Sequence, residues 1–486
     1  MNPGRPLDPI IERLRVLEPL TRPLQPGPDE RAALMEATAA HADSFLEWLD
    51  TAPSYRPDEG STAALAEAPI GPKGIGMERA LSLLARHVDD KGQNTTASGF
   101  FAFIPVGSIY HGALAEFLAA ISNRFTGSLM ACPGAVRIEN QVLLWLASVM
   151  GYPDSAVGNL ASGGSMANFS AVVVAREAAG LKSKDIERAV VYLTEQTHHC
   201  VTKGLRVAGL GECIVRRVPI DDRFRMMPAA LEAAIVEDKR AGRVPFLIVG
   251  TAGTTDTGAV DPLGDLAEIG SRHAVWFHCD AAYGGPFALC AAGKRILRGI
   301  ERSDSVALDA HKGLFVTFGI GAILVKNAEA MRAAYSFTAN YIPSAQRGLP
   351  EPSPMELSPE LTRPFRALRL WLPLQALGTA PFEAALEEKL LLARYAHARL
   401  RELERVEVGP EPDLSVVVFR GLPRSGDANE YNARLEQSIL EDGRISLSST
   451  TMKGMRWLRL AVLAPRTHKD AIDLAIEVIR EKIGAR

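Results

Sequence analysis

Four short stretches of this 486-residue chain carry residue types that can do chemistry, and they follow one another in order. In LASGGSMAN, Ser162-Gly163-Gly164-Ser165 leads into a helix-forming run. Glycines let the backbone approach a ligand closely, and the free N–H groups of a helix start favour an anion. The same residues also suit a plain strand-to-helix turn, and neither GxGxxG nor GxxxxGK[ST] is present. In TEQTHHC, His198 and His199 stand side by side. Neighbours on an extended segment point to opposite sides, so no shared metal ion is expected and a single functional imidazole is the better reading. In AVWFHCDAAYGG, an apolar run ends in Asp280, followed by the small Ala281 and Ala282. An acid at the carboxyl end of a parallel strand lies where α/β folds bind ligands, although a helix N-cap would use the same residue. In DSVALDAHKGL, a short run ends in Asp309-Ala310-His311-Lys312, where the lysine can be a phosphate ligand, an imine-forming amine or a surface residue.

The elements that must position these groups are legible from periodicity. Strands are predicted at Ala189–Leu193, Glu212–Arg216, Pro245–Gly250, Ala274–Cys279, Ser305–Leu308 and Ile320–Val325. Amphipathic helices over Pro228–Ala241 and Leu263–Arg272 separate several of them, and SMANFSAVVVAREAAG reads as a helix ending at Gly180. Such alternation argues for a mostly parallel α/β sheet. Ahead of it, residues 1–95 read as helices broken by proline-rich linkers, with Asp29 opening one of them. Residues 335–360 carry five prolines and no usable periodicity, so a functional or irregular loop is expected. A long helical stretch over 363–404 and a small α/β unit (strands Ser415–Phe419 and Trp457–Val462, helices Ala428–Leu440 and Lys469–Ile483) complete the chain.

Composition excludes several classes. Hydrophobic residues make up 47% and charged residues 23%, an ordinary globular balance that excludes disorder and collagen-like structure. The net charge of −3 is a poor footprint for nucleic acid, and the arginine clusters (Arg216-Arg217; Arg363, Arg366, Arg369) read as solvated faces and local ion pairs. Five cysteines without CxxC spacing indicate neither a disulfide framework nor a zinc site, and no metal is expected. No apolar run is long enough for a membrane span, and the first twenty residues lack a signal-peptide pattern, so no membrane partner and a cytoplasmic location are expected.

Taken together, an anion loop, an imidazole, a strand-end acid and a strand-end lysine are the parts needed to hold pyridoxal 5'-phosphate. The lysine makes the imine, the acid keeps the pyridine nitrogen protonated so that the ring is an electron sink, the imidazole stacks and the loop takes the phosphate. The ordered set LASGGSMAN, TEQTHH, TAGTTDTGAVD, HCDAAYGG and DAHKGL resembles the group II pyridoxal-phosphate amino-acid decarboxylases, well over residues 100–380 and loosely at the ends.

The resemblance implies an aspartate-aminotransferase-like (fold type I) α/β architecture. It consists of an N-terminal helical segment (1–95) that wraps a partner subunit, a large cofactor-binding domain (96–375) with a mostly parallel seven-stranded sheet, and a small C-terminal domain (376–486). A homodimer with active sites near the interface is implied as well. By the same resemblance, Lys312 is the imine lysine and Asp280 the partner of the pyridinium nitrogen. Ala282 lies against one face of the ring and His198 against the other. Gly164 and Ser165 form the phosphate loop, Thr255 lines the cofactor site, and Asp309 and His311 flank it. Tyr341, on the family's flexible loop, protonates the α-carbon once carbon dioxide has left. A proton delivered there favours an amine product, whereas relatives with Phe at that position tend towards aldehydes.

Departures concern the substrate more than the chemistry. Ile104 and Gly127 fall where the animal aromatic-amino-acid enzymes carry substrate-side phenylalanines, and Val106 replaces a threonine. Decarboxylation of an L-amino acid, by default an aromatic one, is the expected activity. The same cofactor with another outcome (aldehyde synthesis, transamination, aldol cleavage), an acidic or diamino substrate, and a non-catalytic binding relative are the alternatives.

Overall fold

A computed structural model describes residues 7–68, 70–336 and 351–484. Tyr341 and most of the expected 335–360 loop lie outside the described residues. The chain divides into two compact units, one up to Asn94 and the other from Thr95 onward. In the first unit, helices Asp8–Thr21, Pro28–Leu49 and Met77–Leu84 accompany a two-residue antiparallel pairing of Tyr55–Arg56 with Gly92–Gln93.

The second unit is built on a seven-stranded sheet. Its strands are β1 (Val157–Ala161), β2 (Ala189–Leu193), β3 (Ile214–Arg217), β4 (Val244–Thr251), β5 (Trp276–Asp280), β6 (Ser305–Asp309) and β7 (Gly321–Val325). The spatial order is β1-β7-β6-β5-β4-β2-β3, with β7 antiparallel to both of its neighbours and the other pairings parallel. β2, β6 and β7 are buried at every position, as a sheet covered on both faces requires. Helices Gly164–Ala178, Pro228–Arg240 and Leu263–His273 lie between successive strands in the sequence.

β1, preceding the Ser162–Ser165 loop, is absent from the strands predicted by periodicity, because Val157-Gly158-Asn159 is too polar and too glycine-rich to read as one. The glycine is required there: a Cβ at Gly158 would stand 2.6 Å from the Ile323 carbonyl. The expected long helix over 363–404 is two helices, Leu368–Leu377 and Ala380–Arg401, separated at Gly378, whose φ of 72° ends the first.

The same unit also carries a four-stranded antiparallel sheet: β8 (Val406–Val408), β9 (Val416–Gly421), β10 (Ser448–Met452) and β11 (Met455–Ala461), in the order β8-β9-β11-β10. Helices Ala428–Asp442 and Lys469–Gly484 join Ala380–Arg401 around a separate apolar core containing Leu435, Leu458, Leu460 and Ile476. The expected boundary at 375/376 falls inside the helix Leu368–Leu377.

The arginine cluster 363–369 is not a solvated face. Arg363 is fully buried, 2.8 Å from the equally buried Glu139, while Arg366 forks onto Glu360 at 2.6 and 2.9 Å. Both arginines donate to the carbonyl of Leu160, the penultimate residue of β1. Their charge serves to anchor the strand that feeds the glycine loop.

Candidate active site

Thr251, Asp280 and Asp309 are the last residues of β4, β5 and β6, three adjacent parallel strands, and Thr251 and Asp280 are paired in register. Their carboxyl ends open onto a cavity of about 430 Å³, a volume typical of cofactor sites. Gly164, Ser165, His198, Thr255, Asp280, Ala282, Asp309, His311 and Lys312 all line it.

The glycine loop enters between these strand ends. Gly163 has φ 155°, and the helix Gly164–Ala178 starts beside it. A Cβ at Gly164 would stand 2.8 Å from Asp309 Oδ2 and 2.9 Å from the Ala282 Cβ, so only glycine permits this approach. Asp280 is buried and accepts the Ala282 N–H at 3.1 Å, capping a turn rather than an α-helix. Lys312 Nζ lies 3.0 Å from Asp309 Oδ2, and the other oxygen of Asp309 is buried without a hydrogen-bond partner. The lysine is therefore held inside the cavity rather than on a solvated loop. His311 Nδ1 donates to the Ile320 carbonyl at 2.9 Å, and burial lowers the ring's pKa.

His198 and His199 do not diverge as an extended segment would require. Their ring centroids are 4.2 Å apart because His199 already has helical angles, at the start of the helix Cys200–Val207. Burial lowers the His198 pKa, against the opposing pull of Asp280. Its Nδ1 accepts the Cys200 N–H at 3.3 Å, which leaves the proton on Nε2. Burial likewise pushes the Cys200 thiol up to about 12, so it stays protonated beside the cavity.

Ile104 and Gly127 are not brought to the cavity lining. Ile104 is half-buried against the main core. A Cβ at Gly127 would stand 2.5 Å from the Leu361 carbonyl and 2.6 Å from the Phe125 ring, so this packing has no room for a phenylalanine.

Thr251, Asn168, Cys200 and Tyr283 also line the cavity and went unread in the sequence. Asn168 had a signal, since it lies four residues beyond Gly164 on the same helix face. Arg459, from β11, is a further contributor. This buried guanidinium donates to the carbonyls of Phe103 (2.9 Å), Thr255 and Asp256 (2.9 Å) and to Ser448 Oγ (2.6 Å). It ties the small sheet to the loop that carries Thr255.

A lysine and two acids at the carboxyl edge of a mostly parallel sheet, facing a glycine-opened helix, define a pyridoxal-phosphate site of the fold type I class. Residues 85–421 match the family described as "Pyridoxal-dependent decarboxylase conserved domain", and the chain belongs to that family. It is 36% identical over 423 residues to an aromatic-L-amino-acid decarboxylase of Bacillus atrophaeus, covering 85% of this chain and 88% of the relative. It is 30% identical over 438 residues to a phenylacetaldehyde synthase of Petunia hybrida, covering 85% of each chain. The crystal structure of Oryza sativa TDC with PLP and tryptamine superposes with a TM-score of 0.90 at 24% identity, over 95% of this chain and 99% of that one. The protein is thus a pyridoxal-phosphate-dependent amino-acid decarboxylase, a carboxy-lyase. Its residues fit the cofactor, since the cavity has the required volume and presents two buried oxygens without partners, Asp309 Oδ1 and Thr251 Oγ1.

Proposed function

We propose that the protein decarboxylates an aromatic L-amino acid to the corresponding amine. The observation that carries this reading is the convergence of Lys312, Asp280 and the Gly164 helix start on one cavity, in a chain 36% identical to an aromatic-L-amino-acid decarboxylase. The bound cofactor supplies an electron sink for the pair left behind when the α-carboxylate departs. Lys312, inside the cavity, would hold the cofactor through its amine and release it when the substrate amine arrives. Asp280, buried at the end of β5, keeps a proton on the pyridine nitrogen. His198, its pKa lowered by burial, and Ala282 line the same cavity and would hold the cofactor ring between them. Gly164 and Ser165 bind the phosphate through backbone N–H groups, with Thr255, Asp309 and His311 completing the cofactor pocket. Tyr341 delivers the proton to the α-carbon, which yields an amine.

A homodimer is part of this proposal, with the active sites near its interface. Exposed apolar stripes support it: Ile10, Leu14 and Leu17 in the first unit, and Leu114, Phe117 and Ile121 on the helix Tyr110–Ser122 in the second. The proposed division of labour keeps residues 1–95 as the subunit-wrapping segment and 96–375 and 376–486 as the large and small domains. A cytoplasmic location is proposed with it, in keeping with five free cysteines.

The test is mass spectrometry of the products after incubating cofactor-loaded protein with each common L-amino acid, DOPA, 5-hydroxytryptophan and 2,4-diaminobutyrate, with borohydride trapping to map the modified lysine. An aromatic amine and an adduct on Lys312 are expected. The likeness to a phenylacetaldehyde synthase favours one second reading, aldehyde formation. Carbonyl products from the aromatic substrates would replace the first reading with that one, and an amine from diaminobutyrate alone would overturn the aromatic assignment.

A further inference from the structure

Behind the cavity, an unbroken chain of buried hydrogen bonds ends on the glycine loop. Trp276 Nε1 donates to Ser305 Oγ at 2.9 Å, and Ser305 Oγ lies 2.9 Å from His278 Nδ1. His278 Nε2 lies 2.8 Å from Asn168 Oδ1, and Asn168 Nδ2 donates to the Gly164 carbonyl at 2.9 Å. His278, Asn168 and Ser305 are all at most 1% exposed, so no solvent competes for these groups.

Donor accounting gives the chain one direction. The Gly164 carbonyl only accepts, so Asn168 must turn its NH2 towards it and its Oδ1 towards His278. Oδ1 only accepts, so His278 carries its proton on Nε2. Its bare Nδ1 then takes the Ser305 hydroxyl proton, and the Ser305 oxygen takes the Trp276 N–H. Burial keeps the imidazole neutral, as this arrangement needs. Without the His278 donor, the buried Asn168 Oδ1 loses its partner, and only the Gly164 carbonyl still opposes rotation of the amide.

The Gly164 carbonyl matters because a peptide unit is planar and trans. Holding that oxygen in the first turn aims the N–H of the same peptide, that of the cavity-lining Ser165, back out of the helix start. The preceding residues are glycines, which supply little rigidity of their own. We propose that His278 is a positioning residue for the cofactor phosphate: acting through Asn168, it locks the Gly164–Ser165 peptide with its N–H towards that phosphate. This rests on the reading that the phosphate sits at Gly164 and Ser165.

The test titrates cofactor-free full-length protein with pyridoxal 5'-phosphate and, separately, with pyridoxal, which lacks the phosphate, following quenching of intrinsic fluorescence. His278→Leu removes the donor and should weaken pyridoxal phosphate about tenfold, as expected for losing one well-aimed hydrogen bond to a charged group, while pyridoxal changes by less than about twofold. His278→Gln places an amide N–H near the Nε2 position and should restore most of the pyridoxal phosphate affinity. Equal weakening of both ligands by His278→Leu, or no weakening of either, overturns the inference. If the wild-type protein binds pyridoxal phosphate no more tightly than pyridoxal, the phosphate reading itself falls and the inference falls with it. Should His278→Leu fail to fold, Ser305→Ala keeps the imidazole but frees its tautomer. A loss of about threefold confined to pyridoxal phosphate is then expected, and no loss overturns the proposal.

Discussion

Lys312 Nζ lies 3.0 Å from Asp309 Oδ2, three residues back in the chain, and the second oxygen of Asp309 is buried without a partner. The same carboxylate closes off the space beside Gly164 and Gly321, where added Cβ atoms would stand 2.8 and 2.5 Å from its oxygens. One acid thus holds the Lys312 amine and shapes the floor of the glycine loop.

An amine held 3.0 Å from a carboxylate must leave that contact to reach an incoming aldehyde. Asp309→Asn keeps the shape and removes the charge. A hydrogen bond to a charged group is worth about 1.5–3 kcal/mol, enough to slow release of the amine about tenfold. Stopped-flow uptake of pyridoxal phosphate by cofactor-free Asp309→Asn protein at neutral pH should therefore be about tenfold faster than for wild type. An unchanged or slower rate would show that this carboxylate does not restrain the lysine.

The Arg363–Glu139 pair is 2.8 Å long with both side chains fully buried, and Arg363 also donates to Leu160. Removing Glu139 leaves the buried Arg363 only the more distant Glu360, at 3.7 Å, and breaking a buried pair costs about 3–5 kcal/mol. Glu139→Gln should lose that much in equilibrium urea unfolding. The double replacement Glu139→Leu with Arg363→Met strands no charge and should recover most of it. A double variant as unstable as the single one would mean that the tether to β1, rather than charge pairing, carries the stability.

The arrangement of the site was legible where chemistry and strand ends coincide. Asp280, Asp309 and Lys312 close apolar runs that a parallel sheet must bury, so strand-end position alone brought them together. The Gly164 loop was legible as a glycine-opened helix start, but β1 before it was not, because Gly158 and Asn159 are there for close packing and contribute no β-propensity. The His198–His199 geometry was misread because periodicity does not reveal that a helix begins at Cys200. Arg459 lay beyond local reading altogether. Its strand alternates Trp457, Arg459 and Ala461 on one face with Leu458 and Leu460 on the other, which marks a charge on a buried face but not the loops it serves, some 200 to 350 residues away.

Those loops make Arg459 testable. Its guanidinium spans the carbonyls of Phe103, Thr255 and Asp256 together with Ser448 Oγ, and Phe103 has a φ of 55°, a conformation costly for an aromatic residue. A lysine ammonium keeps the charge but cannot reach four acceptors in a fork. Arg459→Lys should cost about 2–3 kcal/mol in thermal or urea unfolding and loosen Thr255 at the cavity. Pyridoxal phosphate should then bind several-fold more weakly. Unchanged stability and unchanged binding together would reduce Arg459 to a bystander.

Acid sensitivity follows from the buried imidazoles. Burial lowers the His278 pKa from 6.5 to about 4, and it lowers those of His198 and His311 as well. A base whose pKa is depressed by folding takes up its proton mainly on unfolding, so between pH 6.5 and 4 the unfolded chain binds more protons than the folded one. Stability is then complete above pH 6.5 and is lost as the pH falls through that window. For His278 alone the slope is about 1.4 kcal/mol per pH unit, or about 2 kcal/mol between pH 6.5 and 5. Buried Asp261, raised to about 6, opposes this trend in wild type and variant alike, so urea unfolding of cofactor-free protein across that range should show His278→Gln losing about 2 kcal/mol less than wild type. Parallel profiles for the two proteins would mean that burial does not depress the His278 pKa in the folded state.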